Sequence, residues 1–103
     1  MYNRENINEI IHHFLEMIKK DITVDQAYLF GSYAKGTSNE NSDIDLAVVS
    51  KDFDGIRFFD RKRLAKYLIK ANFDIELHPF KTEDFTTDDP LVAEILKTGL
   101  RVN

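Results

Sequence analysis

The sequence predicts an α/β (α+β) domain, and three observations carry that expectation. Apolar residues at helical spacing recur in separate segments, short apolar or alternating runs of strand length lie between them, and Gly, Asn, Asp and Pro punctuate the joins. The order reads helix, strand, short helix, strand, helix, strand, helix, with no internal repeat, low-complexity tract or linker. A chain of 103 residues fits one compact core, so residues 1–103 are expected to form a single domain.

Residues 4–20 place Ile7, Ile10, Ile11, Phe14, Leu15 and Ile18 on one face of an amphipathic helix, with Asn3 as N-cap and Lys19 and Lys20 at the end where cations suit the helix dipole. Ala27-Tyr28-Leu29-Phe30 is an apolar run that stops at Gly31 and reads as a buried strand. Ser32–Lys35 makes one short helix stopped by Gly36, and Thr37–Ser42 is a polar loop, expected to be exposed and mobile. Asp43–Val49 is the next strand; its period of two puts Asp43, Asp45 and Ala47 on one face and Ile44, Leu46 and Val48 on the other.

Phe58–Ala71 carries Phe59, Leu64, Tyr67, Leu68 and Ala71 as the stripe of a second long helix, with Arg61, Lys62, Arg63, Lys66 and Lys70 mostly off that stripe. Phe73–His78 alternates strictly and is expected to end before Pro79, with Asp74, Glu76 and His78 sharing a face. Asp89 caps a last helix that has Pro90 at its first position, a stripe of Leu91, Val92, Ile95 and Leu96, and Gly99 as its stop. Leu100–Val102 suits an edge strand.

Composition narrows the function. A formal charge of -4 argues against an extended nucleic-acid surface, which needs a basic excess to displace counterions. With no cysteine there are neither disulfides nor thiolate metal sites, and no apolar run nears the roughly 20 residues that span a bilayer. The polar start, Met1-Tyr2-Asn3-Arg4-Glu5, is unlike a secretory signal, so cytoplasmic residence is the expectation. At this length, a large acceptor is expected to bring its own fold.

The chemistry concentrates in Gly31-Ser32, ten residues, then Asp43-Ile44-Asp45. A Gly-Ser turn at a strand end offers backbone N–H groups and a hydroxyl to phosphate, and two carboxylates one residue apart can hold a divalent cation against it. Adjacent like charges on poor strand formers are hard to explain by folding needs alone. A third carboxylate from the next strand completes such a cage; Glu76 is preferred and Asp74 is the alternative. Lys35 is a candidate phosphate contact or a solvated lysine, and Tyr33 suits packing. His78 shares the acidic face but reads more readily as structural. His12 and His13 lack a helical His partner for metal binding. The basic residues from Arg57 to Lys70 form either a solvated face or a contact for an acidic partner or the acceptor.

These motifs resemble the signature of the DNA polymerase beta-like nucleotidyltransferase superfamily, and the short chain is similar to its minimal nucleotidyltransferase (MNT) family. The resemblance implies a nucleotidyltransferase-like mixed β-sheet flanked by helices, two Mg²⁺ ions, and transfer of a nucleoside monophosphate from ATP or another nucleoside triphosphate with release of pyrophosphate. By the same resemblance Gly31, Ser32 and Lys35 hold the triphosphate, Asp43 and Asp45 ligate both metals, and Glu76 ligates the catalytic one and helps activate the acceptor hydroxyl. Small members are typically paired with a HEPN-domain toxin, which implies AMP transfer to a partner tyrosine by an antitoxin. A non-catalytic binding antitoxin and the catalytic subunit of a two-chain small-molecule nucleotidyltransferase remain open, as do base preference and homo-oligomerisation.

Overall fold

A computed structural model describes residues 2–72 and 74–103. The expectation that Phe73 starts the third strand lies outside them. Among the described residues four strands form one mixed sheet with four helices: α1 (Arg4–Ile18), β1 (Gln26–Phe30), α2 (Ser32–Lys35), β2 (Ile44–Ser50), α3 (Arg57–Ala71), β3 (Ile75–Lys81), a 3₁₀ turn at Thr82–Asp84, α4 (Pro90–Thr98) and β4 (Leu100–Arg101). The strand order is β3-β2-β1-β4, with β2 and β3 parallel and the other pairs antiparallel. Among the described residues no helix is long and apolar enough to cross a membrane.

The stripe of α1 becomes the centre of the larger core. Ile7, Ile11, Phe14, Leu15 and Ile18 are buried with Leu29, Ile44, Leu46, Val48, Leu64 and Leu77, so α1 and α3 cover one face of the sheet. Removing Phe14 from this layer is expected to cost about 3–5 kcal/mol, the range for emptying a large aromatic from a packed core. Asn3 caps α1 by accepting from the Asn6 N–H at 2.8 Å, as its side-chain chemistry predicts. On the opposite face Phe30, Ala47 and Ile95 form a smaller cluster with Tyr28, Phe80, Phe85 and Leu91, beneath α4.

Three expectations need correction. Phe59 is exposed, and Asp60 is buried in its place. Counting back one turn from Leu64 reaches Asp60, so the register of Leu64, Leu68 and Ala71 turns Phe59 outward. The Asp60 carboxylate accepts from the N–H groups of Asp54 and Gly55 at 2.8 and 3.0 Å, closing the loop that enters α3. Leu96 is likewise exposed, because Val92 and Ile95 already fill the buried side of α4. Finally β3 continues through Pro79 to Lys81 in register with Ser50. It is an edge strand, where a missing N–H can face away from the ladder.

Candidate active site

Parallel pairing of β2 with β3 sets Asp45 level with Glu76 and Ala47 level with His78, while antiparallel pairing sets Phe30 opposite Asp45. Ile44 and Leu46 are locked in the large core, so Asp45 must face the other way, onto the side shared with Glu76 and His78. One ligand atom each from Asp45, Glu76 and His78 lies within 4.8 Å of the other two. Two half-exposed carboxylates and an imidazole that close are a donor set for a divalent cation, and the carboxylate oxygens suit Mg²⁺.

Gly31 brings the serine turn to this group. Its φ of 74° and ψ of -153° are open essentially only to glycine, and a Cβ there would overlap Asp45 Oδ2. The backbone before Ser32 therefore rests directly on the Asp45 carboxylate. Ser32 opens α2, where the first N–H groups of a helix have no partner within it. Tyr33 points the other way and packs in the core beside Tyr2, 6.3 Å between ring centroids.

The remaining residues separate. Asp43 is exposed at the mouth of β2 and lines a concavity of about 230 Å³ with Arg61, Asp74, Ile75 and Glu76. Asp74 is engaged elsewhere: Tyr2 Oη donates to its Oδ2 at 2.6 Å, which raises the Tyr2 pKa because the neutral hydroxyl is the form that donates. Lys35 reaches α4 and pairs with Glu94 Oε1 at 2.9 Å, holding the Glu94 carboxyl below its usual range. His12 and His13 lie exposed on α1. Arg63, from the basic run, is structural; its guanidinium holds the Asp21 carboxylate at 2.9 Å and the Asp52 carbonyl at 2.9 Å.

His78 is tied into this group through both ring nitrogens. Its Nε2 is 3.2 Å from Asp45 Oδ1, its Nδ1 is 3.2 Å from an Arg57 guanidinium nitrogen, and its ring meets Phe30 edge-on at 4.8 Å. The shared face with Glu76 was the available signal; the contact depends on strand register.

A mixed sheet with helices on both faces, a glycine-serine turn and a strand-borne acidic cluster define a nucleotidyltransferase-type scaffold. Residues 8–102 match the family model described as "Polymerase beta, Nucleotidyltransferase", and the chain belongs to that family as a minimal nucleotidyltransferase. It is 32% identical over 104 residues to "Putative protein adenylyltransferase MJ1305" of Methanocaldococcus jannaschii, covering 93% of this chain and 70% of that one. Against "Protein adenylyltransferase MntA" of Shewanella oneidensis it is 42% identical over 74 residues, 70% of this chain and 49% of the relative. A toxin–antitoxin crystal structure with AMP-PNP superposes with a TM-score of 0.65 at 28% identity, over 93% of this chain and 72% of that one.

Proposed function

We propose that residues 1–103 act as one minimal nucleotidyltransferase domain in the cytoplasm that moves AMP from ATP to a hydroxyl of an acceptor protein. The observation that carries this reading is the packing of Asp45, with Glu76 beside it, directly under Gly31 of the serine turn. The naming of the relatives as protein adenylyltransferases, and the AMP-PNP in a structural neighbour, support ATP as donor. The toxin–antitoxin neighbour supports a partner protein as acceptor, which we take to be a tyrosine of a HEPN-type toxin.

In this reading Gly31 and Ser32 would hold the terminal phosphates, and Asp43 and Asp45 would hold two Mg²⁺ ions, with Glu76 as a further ligand to one. Bound Mg²⁺ offsets charge on the transferring phosphoryl group. The acceptor oxygen forms a bond to the α-phosphorus, the α–β anhydride bond breaks, and pyrophosphate leaves with the electron pair. Glu76 would orient the acceptor hydroxyl and receive its proton. Asp74 is the poorer third ligand, since Tyr2 already binds its carboxylate. Glu94 competes with phosphate for the Lys35 ammonium.

The acceptor's side of approach follows from α3. Phe58 is 68% exposed, and with Arg57, Arg61, Lys62, Ala65 and Leu68 it lines a groove of about 610 Å³; Arg61 also borders the concavity of Asp43 and Glu76. An acidic segment with an apolar anchor suits that groove.

Intact-mass measurement of a co-expressed HEPN-type toxin tests the reading. One added AMP is expected with the native chain and none with Asp43→Asn or Asp45→Asn. A partner that is neutralised without modification, and equally well by both variants, would overturn transfer and establish a purely binding antitoxin.

A further inference from the structure

We infer that His78 is a positioning residue for Asp45, set in its tautomer by Arg57, and not itself a metal ligand. This rests on the reading above that Asp45 ligates the cation. Arginine can only donate, so the Arg57 guanidinium nitrogen 3.2 Å from His78 Nδ1 makes that ring nitrogen the acceptor. The ring proton then sits on Nε2 and is donated to Asp45 Oδ1 at 3.2 Å. A neutral imidazole in this tautomer makes a hydrogen bond with Asp45 and has no free lone pair left for a cation.

Three features support the assignment. His78 is more enclosed than Asp45, with side-chain exposures of 12% and 26%. Phe30 packs edge-on at 4.8 Å and restrains the ring. Gly31 bounds Asp45 on the Oδ2 side, so the carboxylate is held through one oxygen by His78 and fenced at the other by backbone. Mg²⁺ prefers oxygen ligands, which makes an imidazole more useful to it one step removed. Ligating carboxylates are commonly oriented by such hydrogen bonds, and loss of one typically costs about 10–100-fold in metal affinity.

The test compares His78→Phe, which fills the space without a donor, with His78→Gln, whose amide N–H can replace Nε2–H. Mn²⁺ binding is measured calorimetrically with AMP-PNP present, beside Asp45→Asn. His78→Phe should weaken Mn²⁺ by about 10–100-fold and His78→Gln should recover most of that loss. In the metal-free native protein, ring ¹⁵N spectra at alkaline pH should show the proton on Nε2, and Arg57→Ala should let the Nδ1–H tautomer appear. Native-like Mn²⁺ binding by His78→Phe, a His78→Gln no better than His78→Phe, or a proton on Nδ1 would each overturn the inference. Undiminished Mn²⁺ binding by Asp45→Asn would instead overturn the underlying assignment of Asp45 as ligand.

Discussion

Gly31→Ala tests the joint between the serine turn and the carboxylates, and Gly36→Ala is its internal control. Both glycines have positive φ, 74° and 77°. An added Cβ at Gly36 meets nothing within 4 Å, whereas one at Gly31 overlaps Asp45 Oδ2. At Gly36, whose ψ of 20° is left-handed helical, alanine should cost about 1–2 kcal/mol in backbone strain. The glycine-only conformation of Gly31 costs an alanine about 1–3 kcal/mol. Moving Asp45 aside also breaks its hydrogen bond to His78, adding roughly 0.5–1.5 kcal/mol. Gly31→Ala should therefore lose about 1.5–4.5 kcal/mol, a fall in Tm on the order of 10–30 °C for a domain of this size, against roughly half that for Gly36→Ala. Thermal unfolding followed by circular dichroism measures both, and Mn²⁺ titration should show weakened binding in Gly31→Ala only. Equal losses of stability in the two variants, with Mn²⁺ affinity unchanged in both, would refute the argument that the turn rests on Asp45.

Other substitutions probe the scaffold. Asp60→Ala leaves the Asp54 and Gly55 N–H groups without their carboxylate and should cost about 1–3 kcal/mol by urea unfolding. Phe59→Ala should change stability by no more than about 0.5 kcal/mol, whereas Leu64→Ala should lose about 2–5 kcal/mol; reversal of that order in urea melts would contradict the register of α3. The Lys35–Glu94 pair should show in pH dependence. Because Lys35 lowers the Glu94 pKa, its contribution is present above the usual carboxylate range and is lost as pH falls through the lower folded-state value. The Tm difference between native protein and Glu94→Gln should therefore be small at neutral pH, these side chains being exposed, and should close in acid.

Much of this protein was legible locally. The stripe of α1, the caps Asn3 and Asp89, and the four-residue α2 stopped by Gly36 all follow from helical periodicity and turn chemistry over a few residues. Less was legible where neighbours distant in sequence decide. Pro79 looks like a strand end until β3 proves to be an edge, and Phe59 looks like core until the register through Leu64 assigns that place to Asp60.

The sequence by itself determined which residues alternate along β2 and β3 and that the chain turns at Gly31 and Gly36, because alternation and glycine conformation are short-range properties of the backbone. Only the tertiary structure decided that β2 and β3 run parallel with Asp45 level with Glu76, that Gly31 rests on Asp45, and that Arg57 reaches His78. Strand register is a long-range choice made by burial on both sheet faces, and a slip of β3 by one residue would turn Glu76 and His78 to the opposite side.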